Sequence, residues 1–189
     1  MEKRIYPPHI QKQKGQEEPL ICLTAYTAHT AHYVDPHCDV VLVGDSVAMV
    51  VYGMESTLGA DLDMMARHGK AVVGATNKAC VVVDMPFGSY QESPEQAFRN
   101  AAYLMKETGA QAVKMEGGTE LAATVNFLVR RGIPVMGHIG LTPQAVHQLG
   151  GFKVQGKTQQ AQEQIKLQAK QLENVGCFSI VLECVPTLL

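Results

Sequence analysis

Six short runs of β-branched and other apolar residues, separated by stretches of helical periodicity, constrain this chain more than any other feature. They fall at residues 20–25, 40–43, 79–83, 112–115, 133–137 and 178–182. Each run is nearly continuous instead of alternating, the pattern of strands buried on both faces of a parallel sheet. The intervening segments carry helix signals. Ser93-Pro94-Glu95-Gln96 offers an N-cap serine, a first-turn proline and a Gln placed for a capping box, and Gly109 stands where a C-terminal glycine belongs. Residues 119–132 and 158–176 read as further helices, as do 62–75 and 27–34. Strictly alternating strands and helices predict a parallel α/β fold, either a TIM-type barrel or a doubly wound sheet. Residues 1–19 read as a polar N-terminal arm, mobile apart from a short ordered piece, with the barrel domain over 20–189.

The strand ends discriminate between the two architectures. Asp45-Ser46 follows the second run and Asp84 the third. The fourth carries Lys114 and then Glu116, the fifth reaches His138, and the sixth reaches Glu183. Five of six predicted strands thus end in an ionisable side chain. A barrel converges those ends on one pocket, whereas an open sheet spreads them along a line. The barrel is therefore the expectation. Taken singly, each residue has a plainer reading: Asp45 and Asp84 as turn caps, Lys114 as the partner of Glu116, His138 as a core histidine. Glu183 resists this, because a carboxylate so near a core needs a partner, a metal or a proton. Several carboxylates with one lysine and one histidine suit a hard cation, Mg²⁺ rather than zinc, and an anionic substrate. A spare carboxylate with its pKa raised by burial would serve as general base.

Composition excludes other classes. Sixteen Lys and Arg against eighteen Asp and Glu leave a formal charge of -2, with no broad basic field for nucleic acid or an anionic membrane. The longest apolar stretch, 40–54, is broken by Asp45, so no membrane span is expected. Met1-Glu2-Lys3-Arg4 leads into prolines and glutamines, not an apolar leader. Five cysteines, none in a C-x-x-C pair, argue against a disulfide framework, and a reducing cytoplasm is the expected location. Dinucleotide, P-loop, nucleophile-elbow and zincin motifs are absent. His29, His32 and His37 read as ordinary helix and loop residues, and Met64-Met65 as core.

Seven stretches, in order, resemble the ketopantoate hydroxymethyltransferase family. They are Leu23-Thr24-Ala25-Tyr26, Val43-Gly44-Asp45-Ser46, Asp84-Met85-Pro86-Phe87-Gly88-Ser89-Tyr90 and Val113-Lys114-Met115-Glu116-Gly117-Gly118, then Gly137-His138-Ile139-Gly140-Leu141-Thr142-Pro143-Gln144, Gly150-Gly151-Phe152-Lys153-Val154-Gln155-Gly156 and Leu182-Glu183-Cys184-Val185-Pro186. The resemblance implies a TIM-type (β/α)8 barrel of the phosphoenolpyruvate/pyruvate superfamily. It implies transfer of a hydroxymethyl group from 5,10-methylenetetrahydrofolate to 3-methyl-2-oxobutanoate, giving 2-dehydropantoate for pantothenate and coenzyme A biosynthesis. Position by position, it makes Asp45 and Asp84 ligands of Mg²⁺, with Glu116 supporting the metal. Asp45, Ser46, Asp84, Lys114 and His138 become keto-acid contacts and Glu183 the general base. A large homo-oligomer is also implied. Thr57-Leu58-Gly59-Ala60-Asp61-Leu62 departs from the family pattern, losing a Pro and a Thr. The chain stops six residues beyond Glu183. About six of eight βα units are thus expected, a C-terminally incomplete barrel against the ~250 residues typical of the fold. Another Mg²⁺-dependent keto-acid lyase or aldolase, and an inactive fragment, are the alternative readings.

Overall fold

The computed structural model describes residues 4–189, so the first three residues of the N-terminal arm lie outside it. The remainder of the arm includes the short helix α1 (Pro7–Gln11). The barrel units follow as β1 (Cys22–Thr24), α2 (Ala28–Val34), β2 (Val40–Val43), α3 (Val47–Val50), α4 (Leu62–Ala75), β3 (Cys80–Asp84) and α5 (Pro94–Thr108). They continue with β4 (Ala112–Glu116), α6 (Ala122–Val129), β5 (Val135–Gly140), α7 (Val146–Leu149), α8 (Gln159–Asn174) and β6 (Ser179–Glu183). All six expected strands form, and so do the expected helices, the one expected from residue 119 opening with a tighter turn over Thr119–Leu121 before α6. Ser93, Asp61, Thr158 and Thr27 each accept a hydrogen bond from a first-turn amide, at 3.1, 2.7, 3.2 and 3.2 Å. Asp61 therefore caps α4 within the stretch that departs from the family pattern. The expected capping box at α5 is only half made, because Gln96 accepts from the Glu92 amide and donates to the Gly88 carbonyl.

The sheet is parallel throughout, in the order β1-β2-β3-β4-β5-β6. Sequential order never reverses, so the topological switch of a doubly wound sheet is missing. The sheet also curls. Strands two and five stand three neighbours apart, a lateral distance of about 14 Å in a flat sheet. Yet Gln144, in the loop after β5, reaches Asp45, in the loop after β2, at 2.8 Å. The sheet is part of a barrel wall.

Two-residue alternation divides the strand side chains between two cores. Val41, Val43, Val81, Val83, Val113, Met115, Val135 and Ile139 point outward to the helices, where Met65, Leu104, Leu128 and Leu172 complete the main core. Val40, Cys80, Val82, Ala112 and Met136 point inward and, with Phe178 just before β6, form a smaller apolar floor. Ile10 of α1 and Ile5 pack against that floor. Arg4 ties the segment to the barrel with bonds to Thr76 Oγ1 and the Ala79 carbonyl, both 2.9 Å. Among the described residues, no helix is long and apolar enough to cross a membrane, and all five cysteines are unpaired.

Candidate active site

The inward parity that builds the apolar floor, carried one pleat further, produces a charged layer. Asp84 follows Val82, Lys114 follows Ala112, Glu116 follows Lys114 and His138 follows Met136, each two residues on and so on the same face. Register sets the neighbours: Asp84 pairs with Lys114, Glu116 with His138, and Gly140 with Glu183. Asp84, Lys114, Glu116 and His138 are all buried, as is Asp45 just beyond β2. Burial of so many charges is tolerable only because they contact one another.

Lys114 Nζ is 3.1 Å from Asp84 Oδ2, 3.9 Å from Glu116 Oε1 and 3.0 Å from His138 Nδ1. Burial works against its charge, but Asp84, Glu116 and Asp45 outweigh it and raise the pKa above that of an ordinary lysine. Asp84 Oδ2 also accepts the Asp45 amide at 3.0 Å. Burial, and then the Asp84 charge, push the Asp45 carboxyl up to about 7. His138 Nδ1 lies 3.4 Å from Glu116 Oε1, and Nε2 lies 3.1 Å from Glu183 Oε2, within ion-pair distance though not aligned as a hydrogen bond. Burial lowers the His138 pKa, and the two carboxylates more than compensate, so the imidazole is more basic than usual.

Glu183 is the half-open member, its side chain 42% exposed. The sequence suggested a base whose pKa is raised by burial. Instead the contact with His138 lowers it, outweighing desolvation. The carboxyls raised by burial are those of Asp45 and Asp84. Ser46 is partly buried, and its hydroxyl is 2.8 Å from the Tyr26 hydroxyl. Neither Asp45 nor Asp84 acts as a turn cap: Asp45 accepts from Gln144 and Asp84 from the Asp45 amide.

Sequence reasoning missed Gln144 and Tyr90. Gln144 Nε2 donates to Asp45 Oδ2 at 2.8 Å and to the Met85 carbonyl at 2.9 Å. Its backbone amide donates to Glu116 Oε2 at 2.9 Å. The Tyr90 hydroxyl lies 2.6 Å from Gln144 Oε1 and accepts the Glu116 amide at 3.1 Å. Both residues sit inside motifs noted in the sequence, but neither is an ionisable group at a strand end. A groove of about 1110 Å³ opens beside them, with Glu116, Gln144, Phe87 and Gln168 in its walls.

Two observations bear on a divalent cation. Asp84 Oδ1 is buried without a hydrogen-bond partner among the described residues, and Asp45 and Asp84 crowd each other in a poorly solvated space. Among the described residues, however, no three His, Cys, Asp or Glu side chains are grouped to hold a metal ion by themselves. A pair of carboxylates with the remaining positions left to water and substrate oxygens is how Mg²⁺ is commonly bound. The donor set fits that ion.

A profile of the family described as ketopantoate hydroxymethyltransferase matches residues 4–189. The chain belongs to the ketopantoate hydroxymethyltransferase family. It is 58% identical over 186 residues to the 3-methyl-2-oxobutanoate hydroxymethyltransferase of Paracoccus denitrificans, covering 98% of this chain and 67% of that protein. It is 60% identical over 181 residues to the enzyme of the same name from Paramagnetospirillum magneticum, covering 96% and 66%. The chain thus spans about two thirds of the length of these relatives. Among solved structures it resembles a putative phosphonomutase from Burkholderia cenocepacia J2315, with a TM-score of 0.71 at 17% identity over 92% of this chain and 73% of the other. It also resembles 2,3-dimethylmalate lyase, a PEP mutase/isocitrate lyase superfamily member, with a TM-score of 0.61 at 14% identity over 94% and 63%. At such identities the likeness establishes the barrel fold of the family, in line with the half-barrel of strands seen here.

Proposed function

We propose that this chain carries the reaction centre of a 3-methyl-2-oxobutanoate hydroxymethyltransferase, taking its one-carbon unit from 5,10-methylenetetrahydrofolate and releasing 2-dehydropantoate. The observation that supports this most is the layer itself: Asp84, Lys114, Glu116 and His138 on one inward face, with Asp45 beside them and Glu183 at the open rim.

Each residue has a role that its surroundings favour. Lys114, held protonated by its carboxylate neighbours, attracts the carboxylate of the keto acid. Ser46 supplies a hydroxyl for a substrate oxygen. Asp45 and Asp84 would hold Mg²⁺, and Glu116 supports that pair through the Gln144 amide. The ion, when bound, supplies Lewis-acid stabilisation of negative charge on the 2-oxo oxygen. Glu183 is ionised at neutral pH and half-exposed, so it can accept a proton from C3 of the substrate without prior deprotonation. The C3–H electron pair moves into the C2–C3 bond as the carbonyl becomes an enolate. C3 bonds to the methylene carbon of the donor, and both C–N bonds of that carbon break with tetrahydrofolate as the leaving group. One water supplies the hydroxyl, the proton from C3 and the second proton of that water ending on the two folate nitrogens. His138, held between Glu116 and Glu183, stabilises the charge that builds on either side. The groove beside Glu116 is large enough to admit the donor's ring system.

The test is turnover of 3-methyl-2-oxobutanoate with 5,10-methylenetetrahydrofolate and Mg²⁺ by the complete enzyme, beside its Glu183→Gln variant. Loss of a general base is expected to cost about 10²–10⁴-fold in rate. No turnover by the parent enzyme, or equal rates for the two proteins, would reject the assignment.

A further inference from the structure

Gln144 is buried, sits on a loop after β5, and joins the ends of three other strands through hydrogen bonds. Its amide has one possible orientation. The Tyr90 hydroxyl has a single proton. Its oxygen already accepts the Glu116 amide at 3.1 Å, and its closest acceptor, at 2.6 Å, is Gln144 Oε1. Gln91 Nε2 donates to that same oxygen at 3.1 Å. With two donors on Oε1, the nitrogen must face Asp45 Oδ2 and the Met85 carbonyl, both of them acceptors. All four hydrogen-bonding positions of the side chain are then used.

The choice of an amide is chemically specific. A Glu here would place another carboxylate against Asp45, Asp84 and Glu116. A Lys would neutralise Asp45 and compete with any cation or cationic group there. Glutamine offers an N–H to Asp45 at this reach without altering the charge of the cluster. The short helical turn Pro143–Ala145 fixes the backbone from which it projects, and its own N–H fixes Glu116 Oε2.

We propose that Gln144 is a positioning residue for this reaction centre, holding the Asp45 carboxylate in place from across the barrel, with Tyr90 setting the orientation of its amide. The kinetic part of this inference rests on the hydroxymethyl-transfer reading; the structural part does not.

The test uses the complete enzyme and its Gln144→Met variant, which keeps the side-chain volume and loses both donors. In a crystal structure of the variant, the Asp45 carboxylate is expected to leave its present position. Mn²⁺ affinity without substrate is expected to weaken about tenfold, and kcat to fall about 10²-fold, the scale of a displacement near 1 Å. A purely structural Gln144 would lower the melting temperature alone. An unmoved Asp45 together with parent-like kcat and Mn²⁺ affinity overturns the proposal. Should Gln144→Met fail to fold, Tyr90→Phe decides, since it removes the hydroxyl that orients the amide and touches neither Asp45 nor Asp84. A displaced Asp45 carboxylate supports the proposal there, and an unmoved one overturns it. If the parent enzyme shows no hydroxymethyl transfer while Asp45 still moves in the variants, the reaction assignment fails and the positioning role stands.

Discussion

Asp84 and Lys114 are register partners on adjacent parallel strands, and their side chains meet at 3.1 Å with almost no exposure to solvent. The pair anchors a layer in which the lysine is the one permanent cation among Asp45, Asp84 and Glu116. Removing it leaves buried carboxylates uncompensated, which is far costlier than the pair is stabilising. Lys114→Met is therefore expected to destabilise the protein by about 3–5 kcal/mol. The Asp84→Leu, Lys114→Met double variant should lose less than the sum of the single changes. Denaturant titration of the four proteins measures both numbers, and simple additivity would mean the two side chains do not act as a pair.

A second carboxylate, remote from the site, locks the strand-three entry. Asp35, in the turn before β2, accepts the backbone amides of Asn77, Lys78 and Ala79 at 2.7, 3.1 and 2.8 Å. Burial alone would raise its pKa, but these three donors and Arg4 bring it below the ordinary value. A depressed native pKa means that stabilisation is complete above the unfolded value of about 3.9 and disappears as pH falls through the native one. Asp35→Asn keeps a single acceptor oxygen. A loss of about 1–2 kcal/mol at neutral pH is expected, with a shallower fall in stability below pH ~4 than the parent shows. Parallel curves for the two proteins in acid would contradict the linkage.

How far the sequence reached follows from which forces are local. Strand positions, helix segments and the charged strand ends were readable, because each depends on period or flanking residues. Asp84, Lys114, Glu116 and His138 come together through parity and neighbouring register alone. Gln144 could not be foreseen, since its bond to Asp45 spans 99 positions and exists only because the sheet curls. The direction of the Glu183 shift was equally hidden, as it depends on where His138 points. Along the N-terminal arm, a polar composition masked Ile5 and Ile10, two apolar residues that pack on the barrel floor.

The contact between His138 and Glu183 carries a kinetic signature. It holds the Glu183 carboxyl below the usual range, so a base at this position stays active until pH drops below about 4.3. Replacing the ring by His138→Gln removes the favourable charge and leaves the desolvation. The acid limb of kcat/KM should then move upward in pH. A pH–rate profile of the complete enzyme and the variant reads this directly, and a limb that stays put would remove Glu183 from the base's role or His138 from its control.

Gly140 ends β5 opposite Glu183, and its φ of +89° lies where side chains are strained. A Cβ at this position would collide with the Glu183 carbonyl oxygen and stand 2.9 Å from Val185 Cγ1. That same carbonyl accepts the Leu141 amide at 2.9 Å, so the two strand ends are fastened at the point of contact. Backbone cannot yield as a flexible side chain would. Gly140→Ala is accordingly expected to cost about 2–4 kcal/mol from strain and overpacking together. By pushing the end of β6 away it should also lower kcat/KM about 10²-fold through misplacement of Glu183. Thermal melts and steady-state kinetics on one preparation separate the two effects, because a stability loss alone would leave the turnover of folded enzyme unchanged.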